Sequence, residues 1–561
     1  MFLHGLRIEN YRAIRKATIN FDDGTALIGE NDCGISSVLD ALELALGHED
    51  GPLTLPPYLF HHVAGSKEPN GPIRLQLRFR ESEPGEWETE TYAPFSIVLP
   101  DHSDRNRELW YEIRIKPGQG GASKAEFRLR SPGNKAKSSD PGLIRLIRQL
   151  NPVVRVSAGM LTGHGRPSSE KDLQRSDMQS FAPEMATLLE RINKAVDSRL
   201  SGRSLDLKAE LEDGLSAAFG LIEMETFKLG KRESGLSRTV GEIIGWSPSG
   251  ANQMGSTQLH SPNSAPERLG ILLLIGALLR ARPTGIIPDA DPLWIIEEPE
   301  AHLHPITLTS VAMFVHLIQR QKIITTYSGD LLSVIPLSQV RRLVRHEGVL
   351  YEKRVRGNSL SRSELRRFHY HLRSRFSAAS FARLWLLVEG ESEYWLIPQI
   401  ARLMGYEFKL EGVACVEFAQ SGLDPPIKVA RELGIEWHVL TDGDAAGENY
   451  GNTARGYLEN DNDSERLTIL SEKDIEHCFW QFGYDEVYKK YSGLKGQQLK
   501  GLSPKKIIQT AVRKRSKPFL ALSIVEAIAT DGSAGIPQIL QDMIHACVDL
   551  ARNSPARLVG H

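Results

Sequence analysis

Two apolar runs in the second half of this chain end in acidic residues. Leu384–Val388 leads into Glu389, and the mostly apolar residues 437–441 lead into Asp442. A short buried run that ends in carboxylates is typical of a parallel strand, which delivers its last residues to the carboxyl edge of a sheet. The pattern therefore predicts neighbouring strands with their acids at one edge.

The start of the chain predicts three strands followed by a helix. Polar and apolar residues alternate over residues 6–10 and 17–21, residues 25–28 are apolar, and residues 38–46 have helical periodicity. A glycine loop lies between the third strand and the helix, which is the layout of a phosphate-binding P-loop. Its nucleotide-binding candidates are Gly29, Asn31, Gly34, Ser36 and Ser37.

The glycine loop lacks the residue that gives a P-loop its charge. Ile35 stands where the pattern GxxxxGK[ST] has lysine, and isoleucine cannot make that lysine's contact with the phosphates. Taken alone, the loop is as consistent with a plain strand–turn–helix connection as with a nucleotide site. The substitution puts ATP hydrolysis in doubt.

A second acidic strand end lies near residue 297. The apolar residues 293–296 lead into Glu297 and Glu298, which resemble a Walker B element, with Glu297 toward Mg²⁺ and Glu298 as the base that polarises water. Residues 322–330 look like the switch strand of an ABC-type ATPase, with Tyr327 where such strands usually carry histidine. We interpret His302 and His304 as a polar loop edge rather than as metal ligands, and residues 261–268 as a candidate signature loop.

Composition and charge narrow the class of protein. The 561 residues predict three or four domains, and 25% charged and 41% hydrophobic residues are ordinary for a globular protein. A net charge of −2 excludes coating of nucleic acid by bulk charge alone. Four scattered cysteines without CxxC spacing suggest neither disulfides nor zinc, and no signal peptide or membrane span is evident, so we expect a cytoplasmic protein without a membrane partner.

The most basic stretch of the chain runs from residue 341 to residue 383. It holds twelve lysines and arginines against three acids, with aromatic residues between them. Such a strip would track a phosphate backbone. An interdomain linker with paired arginines explains the composition equally well.

The acids of the second half suggest metal chemistry. Four carboxylates brought to one sheet edge would repel each other unless cations lay among them, and oxygen ligands suit Mg²⁺ or Mn²⁺. Phosphodiester chemistry is the natural use of such a site. The pattern here, Glu389-Gly390 with Glu393 and then Asp442-Gly443-Asp444 with Gly447, resembles a Toprim domain. Following an ABC-type head, it looks like the OLD (overcoming lysogenization defect) family of ATP-dependent endonucleases, in particular its YbjD-like bacterial branch.

The resemblance implies a site and an activity. It implies a metal-dependent DNA endonuclease with two cations, Mg²⁺ or Mn²⁺, in which Lys517 steadies the phosphate in the transition state and Glu389, Asp442 and Asp444 are catalytic. The implied metal ligands are Glu389, Glu393, Asp442, Asp444 and Glu476. ATP binding would be weak or without hydrolysis. The family also implies DNA as partner, a homodimer formed through the head, and a role in antiphage defence or DNA repair; a partner protein or a nucleic-acid defence element is not identified.

The expected architecture is α/β. An ABC-type head of mixed sheets covers residues 1–370, with a helical dimerisation insertion near residues 180–220. A parallel-sheet Toprim domain covers 380–480, and a helical extension of residues 481–561 contributes to its site. Two alternatives stay open: another Toprim enzyme of the topoisomerase or primase type, and a DNA-binding scaffold of the SMC/RecF kind that does not cut and would not need Glu389, Asp442 and Asp444.

Overall fold

The computed structural model describes twelve stretches of the chain. They are residues 1–47, 55–63, 68–99, 107–117, 123–132, 137–157, 291, 293–301, 321–371, 379–458, 462–530 and 532–554. The expected insertion near residues 180–220, the candidate signature loop at 261–268, and His302 and His304 lie outside these stretches. The chain divides into two units, one formed by Met1–Ile335 with Gly348–Glu352 and the other by Pro336–Glu347 with Lys353–His561.

Strands and a P-loop-like helix dominate the described part of the first half. The strands are β1 (Phe2–Tyr11), β2 (Ile14–Asn20), β3 (Gly24–Gly29), β4 (Ile73–Arg80), β5 (Leu109–Lys116), β6 (Lys124–Arg130), β7 (Lys137–Ser138), β8 (Val153–Ser157), β9 (Leu293–Glu297), β10 (Lys322–Thr325), β11 (Val340–His346) and β12 (Val349–Lys353). The helices are α1 (Ile35–Leu46), α2 (Pro141–Leu150) and α3 (Gly329–Val334).

The strands of the first unit pair in two runs. One run is antiparallel in the order β7-β6-β5-β4-β1-β2. The other is parallel in the order β3-β10-β9-β8. In the antiparallel run Leu75, Leu77 and Phe79 of β4 are buried, while Arg74 points to the opposite face and is exposed. This alternation with a period of two is what directs one face of a strand to the core.

The second unit contains a four-stranded sheet covered by helices. Its strands β13 (Leu384–Val388), β14 (Val413–Glu417), β15 (Glu436–Thr441) and β16 (Leu467–Ile469) are all parallel, in the order β14-β13-β15-β16. The helices are α4 (Arg362–His371), α5 (Glu391–Leu403), α6 (Phe408–Glu411), α7 (Asp424–Leu433), α8 (Ala445–Arg455), α9 (Asp463–Arg466), α10 (Ile475–Phe479), α11 (Asp485–Ser492), α12 (Pro504–Lys514), α13 (Lys517–Ile528) and α14 (Gln538–Asn553).

Strand β13 is buried on both faces. Leu384, Leu386 and Val388 join a core formed with α5, α13 and α14, whereas Trp385 and Leu387 join a second core formed with α7. Helices on both faces explain why this strand reads as a continuous apolar run rather than an alternating one. The parallel sheet and the helices that follow it confirm the predicted α/β class.

One interpretation of the basic strip at residues 341–383 was that it binds nucleic acid. For its first two residues this interpretation is wrong. Arg341 and Arg342 are 1% and 2% exposed. The Arg342 guanidinium donates hydrogen bonds to the carbonyl oxygens of Leu433 at 3.1 Å, Gly434 at 2.7 Å and Ala382 at 3.0 Å. These arginines therefore hold backbone segments of the second unit together and are not available to a phosphate backbone.

Two expectations from composition can be compared directly with the structure. All four cysteines are free thiols, as the absence of CxxC spacing suggested. In the stretches that the structure describes, no helix is both long enough and apolar enough to cross a membrane.

Candidate active site

Strands β13 and β15 bring Glu389 and Asp442 to the same edge of the four-stranded sheet. The two strands are parallel neighbours with Val388 opposite Leu440, so the residues that follow them leave the sheet side by side. A carboxylate oxygen of Glu389 accepts a hydrogen bond from the backbone amide of Asp442 at 3.4 Å. The structure thus brings together two of the residues that the sequence placed at this edge.

Asp444 starts the helix that follows β15. One of its carboxylate oxygens accepts hydrogen bonds from the backbone amides of Ala446 at 2.9 Å and Gly447 at 3.0 Å, which is the geometry of a helix N-cap. Gly447 has no room for a side chain, because a Cβ there would overlap the Asp442 carbonyl oxygen. Glycine at this position is therefore what allows the helix to begin directly against the strand end.

Glu393 lies inside the protein rather than on a solvated helix face. It is 5% exposed, and its carboxylate accepts a hydrogen bond from the amide of Gly390 at 3.1 Å. The neighbouring Ser392 hydroxyl donates a hydrogen bond of 2.6 Å to a carboxylate oxygen of Glu476. The start of α5 and the start of α10 are therefore joined through these side chains.

The buried carboxylates perturb one another. Burial raises the pKa of Asp442 to about 8, and the negative charges of Glu393 and Glu389 add to this rise. Burial, with a further contribution from Glu476, raises the pKa of Glu393 to about 7. The pKa of Glu389 is also raised, mainly by burial. The edge of the sheet therefore holds more negative charge than its surroundings stabilise, which is the condition that a bound cation would relieve.

The donor atoms fit a hard divalent cation, although the side chains are not converged on one point. In their present rotamers no three His, Cys, Asp or Glu side chains of the described stretches are grouped closely enough to hold an ion. Asp444 directs one oxygen to the amides of its own helix. Carboxylate oxygens are nevertheless the ligands that Mg²⁺ and Mn²⁺ prefer. Cation binding at this edge would require rotation of these side chains.

Lys517 is the cationic residue of this region that the sequence singled out. It is exposed at the first position of α13. Its positive charge acts against the rise in the pKa of both Glu389 and Glu393, so it lies within electrostatic reach of the carboxylates. Asp474 also contributes to the raised pKa of Asp442, and its carboxylate caps α10 by accepting a hydrogen bond from the His477 amide at 2.9 Å. Sequence reasoning named Glu476 here but not Asp474.

The glycine loop of the first unit has the predicted backbone and a changed side chain. Gly34 adopts φ 118°, a conformation that favours glycine, and α1 begins at the next residue. Ile35 is 7% exposed, so its side chain is directed into the protein, whereas Ser36 and Asn31 are exposed and Ser37 is buried. A nucleotide phosphate would find hydroxyl and backbone groups here without the usual ammonium group.

An arginine that the sequence gave no reason to notice binds the Walker B-like acid. Arg155 of β8 makes an ion pair with Glu297. The same guanidinium contacts Asp40 at 2.5 Å and Glu43 at 2.8 Å, both on α1. The neighbouring Glu298 has a raised pKa, caused first by burial and then by the charges of Glu300 and Glu297. The acid predicted to face Mg²⁺ thus already has a cationic partner from the protein itself.

The segment after β10 lies close to the glycine loop. Glu300 accepts hydrogen bonds from the backbone amides of Tyr327 at 2.7 Å and Ser328 at 3.1 Å. The pKa of Tyr327 is raised, first by burial and then by Cys33 of the glycine loop and by Glu298. Tyr327 is therefore close to both acidic and loop residues, as expected for the position that is usually histidine in a switch strand.

Comparisons with known proteins agree with this division of the chain. A family model described as "Protein of unknown function (DUF2813)" matches residues 1–379, and a model described as "Overcoming lysogenization defect protein-like, TOPRIM domain" matches residues 381–444. The chain is 32% identical over 567 aligned positions to the uncharacterized protein YbjD of Escherichia coli strain K12, covering 98% of this chain and 99% of that protein. This chain belongs to the OLD family.

A more distant relative carries an activity in its name. The endonuclease GajA of Bacillus cereus strain VD045 is 21% identical over 456 residues, covering 79% of this OLD-family chain and 75% of GajA. The Toprim match and this relative support a nuclease with an ATPase-like head. The predicted identification as an ABC-type head followed by a Toprim domain is confirmed.

Solved structures were also compared with this OLD-family chain. The SMC head domain from Thermotoga maritima covers 64% of this chain and 100% of its own, at 15% identity and a TM-score of 0.31. The C-terminal region of the Burkholderia pseudomallei OLD protein covers 30% and 99%, at 18% identity and a TM-score of 0.26. Superpositions at these scores add nothing to the assignment of the site.

Proposed function

We propose that this chain is a divalent-metal-dependent DNA endonuclease whose chemistry takes place at the carboxyl edge of the four-stranded sheet. The observation that supports it is the raised pKa of Asp442, about 8, at a sheet edge that it shares with Glu389, where the two residues follow neighbouring parallel strands. Buried acids with perturbed pKa values mark functional sites more often than structural ones. The GajA relative, an endonuclease by name, supports the choice of reaction.

In this proposal Glu389, Asp442 and Asp444 are the principal ligands of Mg²⁺ or Mn²⁺. Glu393 and Glu476 complete the set. Two cations held by these carboxylates would supply an activated water and would stabilise the leaving oxygen of an in-line displacement. The protein's own part is to hold the carboxylates in place through the Gly390 and Asp442 amides and through Ser392. Lys517 would place positive charge beside the phosphate as negative charge develops on it.

A plasmid assay tests this proposal. Supercoiled DNA is incubated with the full chain and Mg²⁺ or Mn²⁺, and nicked and linear products are measured. We expect metal-dependent cutting that falls at least about a hundredfold in Asp442→Asn and Asp444→Ala, because each substitution removes a ligand and its charge. Asp463→Asn is the matched control, since Asp463 is an exposed acid of the same unit that pairs with Arg455. Cutting that survives in both site variants would contradict the proposal.

We further propose that the head binds nucleotide without efficient hydrolysis. Three observations support this: Ile35 stands at the lysine position and is buried, Glu297 is paired with Arg155, and Tyr327 replaces the switch histidine. Arginine at this point supplies positive charge to the acid where a nucleotide-bound Mg²⁺ would otherwise supply it. The head would then serve as a nucleotide-sensing and dimerising scaffold, and of these two roles the family resemblance implies dimerisation.

Steady-state ATP hydrolysis measures the second part of the proposal. We expect turnover at the level of the Glu298→Gln variant, in which the candidate base is removed. Ile35→Lys alone should not restore turnover, because Arg155 would still occupy Glu297. Fast hydrolysis by the natural chain, or by Ile35→Lys, would show that the site is otherwise intact and would contradict an impaired head.

A further inference from the structure

The exposed face of the antiparallel strands carries a groove rich in arginine. Strands β1, β4, β5 and β6 form its floor and helix α2 forms one wall, and its volume is about 890 Å³. Seven arginines and three glutamates line it, with neither lysine nor aspartate among the lining residues. The lining therefore has an excess of four positive charges, on a chain whose net charge is −2. We call this feature the arginine groove.

The strand register concentrates charge at the middle of the floor. Arg74 of β4 lies directly opposite Arg114 of β5. Like charges in such positions destabilise a sheet unless something else offsets them. On the flanking strands Glu9 is opposite Arg74 and Glu126 is opposite Arg114. Glu9 offsets part of this repulsion through a 3.5 Å ion pair with Arg74, so the positive charge that is least compensated at the centre of the sheet is that of Arg114.

The glutamates of the groove are largely committed to other cations. Glu9 pairs with Arg7 at 2.6 Å. Glu126 pairs with Lys116 at 2.8 Å, and Glu112 pairs with Arg130 at 2.6 Å. The side chains of Arg114 and Arg128 consequently make neither an ion pair nor a hydrogen bond with any residue in the described stretches, and both residues are exposed. Their guanidinium groups point to the face where an anion would approach.

Two other arginines of the groove are held in place by aromatic rings. The Arg130 guanidinium lies 4.3 Å from the centre of the Trp110 ring, and the Arg148 guanidinium lies 4.7 Å from the centre of the Phe127 ring. Stacking of this kind restricts the movement of a guanidinium. Arg130 is also held by its ion pair with Glu112, whereas Arg148 is buried and its Nε donates a hydrogen bond to the Tyr111 hydroxyl at 3.0 Å. Part of the groove is therefore preorganised.

The shape of the charged surface favours a chain of phosphates over a single anion. Its arginines are spread over four adjacent strands, a width of roughly 14 Å at the usual strand spacing. Arginine binds phosphate through paired N–H donors. We propose that the arginine groove binds the phosphodiester backbone of a nucleic acid, through the first unit and independently of the carboxylates of the second.

The test compares two charge-matched variants of the full chain. One is Arg114→Ala/Arg128→Ala, and the control is Arg402→Ala/Arg552→Ala, which removes two exposed arginines that pair with Glu407 and Glu411 elsewhere. Binding of fluorescent single-stranded and duplex oligonucleotides is measured by anisotropy in EDTA at several salt concentrations. Thermal melts confirm that both variants are folded.

We expect the groove variant to bind DNA about tenfold more weakly, with a salt dependence reduced by about two phosphate contacts. The control should match the natural chain. Wild-type affinity and salt dependence in the groove variant would overturn the proposal. The proposal would also be overturned if the same substitutions weakened the binding of a labelled nucleotide but not the binding of DNA, because the groove would then bind a free polyphosphate. Because EDTA removes the metal that the proposed cutting needs, this assay measures binding alone. Its result can therefore be interpreted even if the nuclease proposal fails.

Discussion

His438 occupies an unusual position for a histidine, in the middle of a parallel strand. It is fully buried in β15, with Nδ1 at 2.8 Å from the Glu465 carbonyl oxygen and Nε2 at 2.9 Å from the Thr468 hydroxyl. A neutral ring satisfies both partners if Nδ1 carries the proton and Nε2 accepts from threonine. Burial accordingly lowers the pKa of His438 to about 4 from its ordinary 6.5.

This shift predicts a loss of stability in weak acid. As the pH falls below 6.5, the unfolded chain takes up a proton at His438 before the folded chain does. The stability that the neutral, buried His438 contributes above pH 6.5 is therefore lost progressively down to about pH 4. The full effect is about 3 kcal/mol. Urea unfolding of the second unit at pH 7 and pH 5 measures it.

His438→Gln is the variant for this measurement, because it keeps an amide donor and an acceptor but does not titrate. Whatever its stability at pH 7, its decline in stability between pH 7 and pH 5 should be smaller than that of the natural chain. The raised carboxyl pKa values of the second unit are common to both proteins and cancel in the difference. Parallel declines would show that His438 does not carry the effect.

Residues whose role depends on a local pattern were predictable, and those that depend on distant pairing were not. Glu389 and Asp442 stand directly after strand-like runs, so their place at a sheet edge follows from strand geometry. Arg155 reaches Glu297 across 142 positions of the chain. Nothing in the residues around Arg155 distinguishes it from a solvated arginine. The choice of Glu389, Glu393, Asp442, Asp444 and Glu476 as metal ligands stays a prediction.

At the level of elements, periodicity located the strands and the first helix but not all of their starts, since β1 begins at Phe2 and not at residue 6, and β2 at Ile14 and not at residue 17. The run at residues 384–388 corresponds to β13 without change. Helix α1 begins at Ile35, three residues before the predicted residue 38. The turn at Gly34 starts the helix there, although residues 35–37 do not show the apolar periodicity of the rest of the helix. Backbone conformation at a glycine decides this boundary, and side-chain pattern does not reveal it.

The junction between β15 and α8 depends on glycine at position 447. A Gly447→Ala change would force a Cβ into the Asp442 carbonyl oxygen. We therefore expect the helix start to shift, with a loss of stability larger than the roughly 1 kcal/mol that alanine gains over glycine in a helix. Thermal melting and plasmid cutting are the two measurements, and both should fall.

Gly451→Ala is the matched control, in the same helix and with the same change of residue. A Cβ at Gly451 meets the end of the Ile469 side chain, 2.8 Å away, which has freedom to move. Its effect on melting should be small and its effect on cutting negligible. Equal losses in the two variants would mean that the contact with Asp442 is not what requires glycine.

For the whole molecule, burial of thiols predicts a slow reaction with disulfide reagents. Cys478 is buried and its pKa is raised to about 12 by burial, and the pKa values of Cys415 and Cys547 are raised by the same cause. Little reactive thiolate is therefore present at pH 8. We expect none of these three thiols to react rapidly in the native chain, and all four thiols of the protein to react after unfolding.

Ellman titration of the natural chain and of Cys33→Ser checks this expectation. Rapid reaction of two or more thiols in the native protein would show that the cores around β13 open readily. A Cys33→Ser chain with no fast-reacting thiol in the native state, but three reactive thiols after denaturation, would agree with the structure.

The class of fold and the order of its two halves followed from the sequence, because long apolar runs and the order of motifs are local features. Burial of the thiols did not, because it depends on how these runs assemble.

The chain passes from one unit to the other three times between residues 335 and 353, and this affects how the protein is made. Pro336–Glu347 belongs to the second unit, whereas Gly348–Glu352, which follows it, belongs to the first. On the ribosome Arg342 emerges about forty residues before Ala382 and about ninety before Leu433 and Gly434, whose carbonyl groups it needs. The two family matches meet at residue 380. A break in the gene anywhere between residues 335 and 380 would leave one of the two units without a segment of its own core. No single break in the gene therefore separates the two units with both of them intact, so they cannot both be inherited, exchanged or expressed whole through one cut.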